Sequence, residues 1–204
     1  VGTLSLTSGG TALTGGDLPA EVTGAYVYFT SALNDITEQS FTFKVEDDGG
    51  VENGGDDTSD LDGIITLTIL PVNDAPTVDD QSITVIEDME YIVTLTGDDG
   101  DEDADQSLTY YVTSVPAVGT LSFTSGGVAL TGGDLPAEVT GTDVYFTTAL
   151  NDVTEQNFTF KVEDNGGTEY GGDDESLDAT VTITITPVND TPMVDDQSIT
   201  VIED

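Results

Sequence analysis

Residues 1–50 match residues 118–167 at 42 of 50 positions, with a constant offset of 117. A fold that suits one copy must therefore suit the other, so the unit of folding is the repeat rather than the chain. The match runs on from Gly54-Gly55-Asp56-Asp57 to Gly171-Gly172-Asp173-Asp174 and loses one residue in the next loop. It resumes at Pro71-Val72-Asn73-Asp74 and Pro187-Val188-Asn189-Asp190 with an offset of 116. A third copy opens at Asp195, where the residues to Asp204 repeat Asp79 to Asp88 without a change. Each repeat has the size of one ordinary domain, enough to bury a single core.

Within a repeat the apolar pattern has period two. Ile65, Leu67 and Ile69 alternate with Thr66 and Thr68, and Val181, Ile183 and Ile185 alternate with Thr180, Thr182, Thr184 and Thr186. Such alternation marks strands with one buried and one wet face. Similar runs lie at 82–86, 90–96, 107–113, 119–123, 143–147 and 157–163, separated by Gly, Asp and Asn clusters such as Thr131-Gly132-Gly133-Asp134. They predict about seven or eight strands per repeat, and no segment carries a helical period over three turns. The expected fold class is all-β, with tandem antiparallel β-sandwich domains of immunoglobulin/cadherin-like type.

Pro71 and Pro76 deny backbone donors and fix φ, which places a linker at 71–76. A complete domain is expected over 77–186, a second linker over 187–192, and the first strand of a third repeat over 193–204. Residues 1–70 lack counterparts of Gln81 to Ala117 and are expected to form a domain without its first strands. Gln197 to Asp204 could lend one strand to a neighbouring copy, yet counterparts of Met89 to Ala117 would still be lacking. The simpler expectation is a window on a continuous array of near-identical repeats.

Forty-one Asp and Glu against two Lys, with no Arg or His, leave a net charge of −39. Such a surface repels phosphate, which argues against nucleic acid and against an anionic membrane surface as partners. No apolar stretch approaches the length needed to span a bilayer, so direct membrane insertion is not expected. Acidic chains are often disordered, but here hydrophobic residues make up 36% and fall in strand-length runs. With no cysteine there is neither a disulfide framework nor a thiolate metal site. Without His or Cys a catalytic base or nucleophile is poorly supplied, and without Trp a sugar-cleaving carboxylate pair would lack its aromatic platform. The chain is not expected to be an enzyme.

So much negative charge is best tolerated beside cations, and Asp-rich loops supply the hard oxygens that suit calcium. The densest cluster, Asp98-Asp99-Gly100-Asp101-Glu102-Asp103-Ala104-Asp105, lies between two strand-like runs. It is not an EF-hand, since its glycine falls between the first acids and no glutamate closes the loop at the twelfth position. From the residues alone, a calcium loop and a solvated acidic turn stay equally open.

Val72-Asn73-Asp74-Ala75-Pro76, Asp99-Gly100-Asp101 and Val162-Glu163-Asp164-Asn165-Gly166, in that order, resemble cadherin repeats. The longer set covers essentially the whole chain: Ile86-Glu87-Asp88, Leu95-Thr96-Gly97, Leu108-Thr109-Tyr110, Gly119-Thr120-Leu121, Phe160-Lys161-Val162-Glu163-Asp164 and Pro187-Val188-Asn189-Asp190. It is similar to the cadherin-like tandem repeats of large bacterial calcium-dependent surface adhesins.

The resemblance implies calcium at the junctions between domains. At the first junction Asn73 and Asp74 would contribute from the linker, with Asp99, Asp101 and Asp164 from the downstream domain. At the second, Asn189 and Asp190 would be joined by Glu87, with Asp88 beside it. Asp47 is the first-copy counterpart of Asp164 and would serve a preceding junction. The acid-rich element before the penultimate strand of cadherins survives only as Leu150-Asn151-Asp152-Val153 and Leu33-Asn34-Asp35-Ile36, and proline replaces the aspartate that opens the linker motif. Fewer ions per junction are therefore expected than in a full cadherin site. The change from Asp48 to Asn165 suggests that this side chain is dispensable.

The implied role is that of structural extender repeats, secreted to a bacterial cell surface, forming a calcium-stiffened stalk or fibre for adhesion or a biofilm matrix. Neighbouring repeats of the same chain are the expected partners. An alternative is a self-assembling extracellular filament with lateral packing or strand exchange between copies. A further one is a salt-adapted globular protein whose acid serves solubility alone. Lys44 and Lys161 share one repeat position, which invites a lysine amide crosslink. Parity argues against it: Phe158, Phe160 and Val162 face one side of their strand and Lys161 the other, where an ion pair is expected.

Overall fold

The alternation of Thr with β-branched and aromatic residues produces strands throughout. The computed structural model describes residues 1–100 and 106–204. Among them the only helical pieces are single 3-10 turns at Glu52–Gly54 and Glu169–Gly171, and no helix is long and apolar enough to cross a membrane. The chain divides into two units, the first being Val1–Val72.

The first unit carries β1 (Thr3–Ser5), β2 (Tyr28–Thr30), β3 (Gln39–Phe43) and β4 (Gly63–Leu67). β1 pairs with β2 and β3 with β4, both antiparallel.

The second unit begins at Asn73. It carries β5 (Gln81–Ile86), β6 (Glu90–Thr94), β7 (Thr109–Val112), β8 (Thr120–Ser122), β9 (Ala137–Val139), β10 (Asp143–Thr147), β11 (Gln156–Glu163) and β12 (Ala179–Thr186). One sheet has the order β5-β12-β11-β7-β9 and the other β6-β10-β8. Both sheets feed one β-sandwich-like core that includes Val85, Val93, Leu121, Phe146, Phe158, Phe160, Val181 and Ile183. In β11 the parity is complete: Phe158, Phe160 and Val162 are fully buried, while Lys161 lies on the other face. There its Nζ meets Glu175 Oε1 at 2.7 Å and stands 5.8 Å from the Tyr111 ring centre.

The expected strands form, with two additions. Ala137-Glu138-Val139 is a strand the pattern did not single out. Three residues between Gly-rich turns are too short for periodicity to register, and β9 exists because β7 offers it an edge. The sheets are also not wholly antiparallel. β5 and β12, the first and last strands of the unit, run side by side in parallel from Val181↔Gln81 to Thr186↔Ile86. Parallel first and last strands bring the chain in at one end of the unit and out at the other.

The two copies show what a strand needs from its partner. β1–β2 and β3–β4 are the counterparts of β8–β10 and β11–β12, pairs whose two members both occur in the first unit. The counterpart of β9, residues 20–22, forms no strand, because the partner of β9 is β7, which has no counterpart within 1–72. Burial follows pairing: Phe160 is fully buried, whereas its counterpart Phe43 is 45% exposed. Residues 187–204 form no strand and are exposed throughout. Residues 197–202 have the sequence of β5 but lie beside no strand of the β12 type, and an edge strand without its neighbour has no ladder to join.

Candidate metal centre at the linker

Asn73 is the first residue of the second unit and is bound into it through its side-chain amide and its carbonyl. Its Nδ2 donates to Asp164 Oδ1 at 3.0 Å and to the Asp173 carbonyl at 2.7 Å. Its Oδ1 accepts from Gln106 Nε2 at 2.6 Å, and its carbonyl accepts from the Asp173 N–H at 3.2 Å. The close fit depends on Gly166, where a Cβ would fall 1.8 Å from Asn73 Oδ1.

Asp164 follows β11 and is buried, 7% exposed. Its N–H donates to the Asp174 carbonyl at 3.0 Å, and its Oδ1 also accepts from the Gly166 N–H at 2.8 Å. Its other oxygen, Oδ2, is buried and has no hydrogen-bond partner among the described residues. A buried carboxylate oxygen left unpaired costs about 1–3 kcal/mol or more, and a cation would relieve that cost. Asp99 enters the same neighbourhood through the Gln106 N–H, which donates to its Oδ2 at 2.7 Å. Gly100 takes φ +76° against the linker, where a Cβ would meet the Ala75 carbonyl at 2.3 Å. Asp74 is half-buried. Asp101 lies outside the described residues.

Of the first-junction set, the structure thus brings Asn73, Asp99 and Asp164 into one hydrogen-bonded neighbourhood linked by Gln106. The donors are carboxylate, amide and carbonyl oxygens, of the class that suits a hard cation. Among the described residues, no three acidic or other metal-ligating side chains cluster closely enough to hold an ion by themselves.

The second-junction set is divided. Glu87 is buried, 5% exposed, and its Oε1 accepts from the Val188 N–H at 2.6 Å, which holds the second linker one residue before Asn189. Asp88, with φ +61°, turns elsewhere and accepts from the Asn151 N–H at 3.0 Å. Asn189 and Asp190 are exposed, and the Asn189 amide donates to its neighbour's carbonyl.

Sequence reasoning missed Gln106 and misread Asn165. Asn165 Oδ1 accepts from the Ser107 N–H at 2.8 Å, so the side chain is used rather than dispensable. Asp and Asn both present the oxygen this bond needs, which is why their exchange looked neutral. Gln106 sits at the edge of an acidic run and differs from it only in carrying a donor. In the first copy, the Asp47 N–H donates to the Asp57 carbonyl at 2.8 Å and its Oδ1 accepts from Gly49 at 2.8 Å. The loop around Asp164 is therefore repeated there.

Many other acids close turns instead. Asp17 and Asp134 each accept from the N–H and hydroxyl of a threonine three residues earlier, and Asp35 and Asp152 do the same for a threonine two residues later. No protein-family model matches the chain, and no curated protein matches it.

Proposed function

We propose that these repeats are structural extenders of a secreted bacterial surface adhesin, cadherin-like in fold, whose linkers are fixed by calcium. The observation that carries the reading is the parallel pairing of β5 with β12. Six residues of strand at about 3.3 Å each separate the entry and exit ends of the unit by about 20 Å, as an extender repeat requires. An enzyme has no need of that arrangement, whereas a stalk does.

The linker chemistry supports the calcium part. Asn73 and Asp99 offer oxygens in the neighbourhood of the buried Asp164 carboxylate, one oxygen of which lacks a hydrogen-bond partner among the described residues, and Asp74 follows Asn73 in sequence as Asp101 follows Asp99 by two. These residues would hold the ion, which would supply the positive charge that lets neighbouring carboxylates share one place. Asn73 orients the Asp164 carboxylate, and Gln106 ties Asn73 to the Asp99 loop.

Thermal unfolding in fixed high sodium chloride tests this, comparing millimolar calcium, millimolar magnesium and a chelator. Calcium is expected to raise the midpoint where magnesium does not, and Asp164→Ala is expected to abolish that shift. Equal melting in all three would remove calcium and leave the acidity as a solvation device.

A further inference from the structure

We propose that Asn165 is a modification site: attack by the Gly166 backbone nitrogen converts its amide to an acid, and the folded loop holds that reaction back until it opens.

The chemistry comes from the sequence. Asparagine precedes glycine at two places, Asn53-Gly54 and Asn165-Gly166, and elsewhere precedes Asp or Phe. Glycine has no Cβ, so its backbone nitrogen is uncrowded, and the asparagine side-chain carbonyl carbon is placed to close a five-membered ring with it. The bond from Gly166 N to Asn165 Cγ forms and the Cγ–Nδ2 bond breaks. Its electron pair leaves with Nδ2, which takes the proton given up by the Gly166 nitrogen and departs as ammonia. Water then opens the cyclic imide at one of its two carbonyls. One opening gives an aspartate at position 165, and the other gives an isoaspartyl link, in which the main chain runs through the side chain. Water is the only co-reactant.

The restraint comes from the structure. Asn165 and Gly166 are both exposed, so water reaches them, yet both reacting groups are engaged. The Gly166 N–H donates to Asp164 Oδ1 at 2.8 Å, and a negative acceptor keeps the proton on the nitrogen that must lose it. Asn165 Oδ1 accepts from the Ser107 N–H at 2.8 Å, which ties the side chain to a segment 58 residues away in sequence. Gly166 also packs so closely on Asn73 that a Cβ would have no room. The loop therefore cannot turn Asn165 onto its own backbone without first opening, and ring closure waits on that local opening. Asn53 is placed differently: it is exposed in the 3-10 turn at Glu52–Gly54, and its side chain makes no hydrogen bond among the described residues.

The first copy shows that an acid fits the turn. Asp48-Gly49 stand at this repeat position, and the Gly49 N–H donates to Asp47 Oδ1 at 2.8 Å, as the Gly166 N–H does to Asp164. The aspartate product keeps an oxygen for Ser107 and adds a negative charge beside Asp164. The isoaspartyl product lengthens the main chain between Asp164 and Gly166 and shifts Gly166 against Asn73.

Incubation of the full chain in mildly alkaline buffer, followed by peptide mapping with mass spectrometry, reads both asparagines in one tube. A chelator is present throughout, so the outcome is independent of calcium. In native buffer Asn165 is expected to convert about tenfold more slowly than Asn53, and in concentrated urea the two rates are expected to converge. Asp164→Ala is expected to speed conversion of Asn165 severalfold in native buffer and to leave Asn53 unchanged. Equal rates at the two sites in native buffer, or an Asn165 that stays slow in urea, would overturn the proposal. So would an Asp164→Ala chain that is folded by circular dichroism and converts Asn165 no faster than before. Where that variant unfolds, the comparison of native buffer with urea on the unaltered chain decides alone.

Discussion

Gly166 and Asp164 hold Asn73 from two directions, one by making room and the other by accepting its amide. Gly166→Ala is expected to displace Asn73 and to lower stability by about 1–3 kcal/mol, as overpacking does, read from the denaturant midpoint. Gly49→Ala is the internal control. A Cβ there meets only the Asp47 carboxylate, at 2.9 Å, so its effect should be smaller. The turn acids give a pH prediction. The Thr131 hydroxyl and N–H hold the Asp134 carboxyl below its ordinary value, and Thr154 does the same for Asp152. A carboxyl depressed in the folded state contributes stability above its unfolded value, near 3.9, and loses it as pH falls through the folded value. The stability difference between the native chain and Asp134→Ala should therefore narrow on acidification through that range, at fixed ionic strength. Asp164 and Asn73, which a hydrogen bond joins in the structure, were singled out in the sequence through the resemblance to cadherin-like repeats. Gln106 was not legible, because its role depends on a donor reaching across 33 residues to Asn73, and no local pattern records such a reach.

At the scale of the strand, identical sequences in different surroundings separate propensity from packing. Phe160 and Phe43 occupy one repeat position, yet Phe160 is enclosed by the full unit and Phe43 is not. Phe160→Ala should cost about 3–5 kcal/mol, whereas Phe43→Ala should cost well under that. Equal losses measured by denaturant unfolding would mean that the first unit buries this ring as well. The strands were readable because threonine alternates with Ile, Val and Phe, and a one-residue slip would turn every apolar side chain outward. The direction of pairing was not readable. Alternation is the same in parallel and antiparallel ladders, so the β5–β12 pairing had to come from where chain order and sheet order meet. Likewise β9 depends on the edge of β7 more than on its own three residues.

At the scale of the molecule, the repeat and its parallel first and last strands lead to a single account: units that pass the chain from one end to the other, joined by acidic linkers. The charge of −39 gives the chain a strong self-repulsion that cations would relieve. The account predicts a response to calcium beyond what ionic strength alone produces. The direct measurement is small-angle scattering of the chain at one fixed ionic strength, in calcium and then in chelator. The account predicts that the maximum dimension and radius of gyration change between the two, with calcium narrowing the spread of distances towards one defined arrangement. It also predicts that Asp164→Ala removes the difference. Identical scattering curves with and without calcium would contradict it.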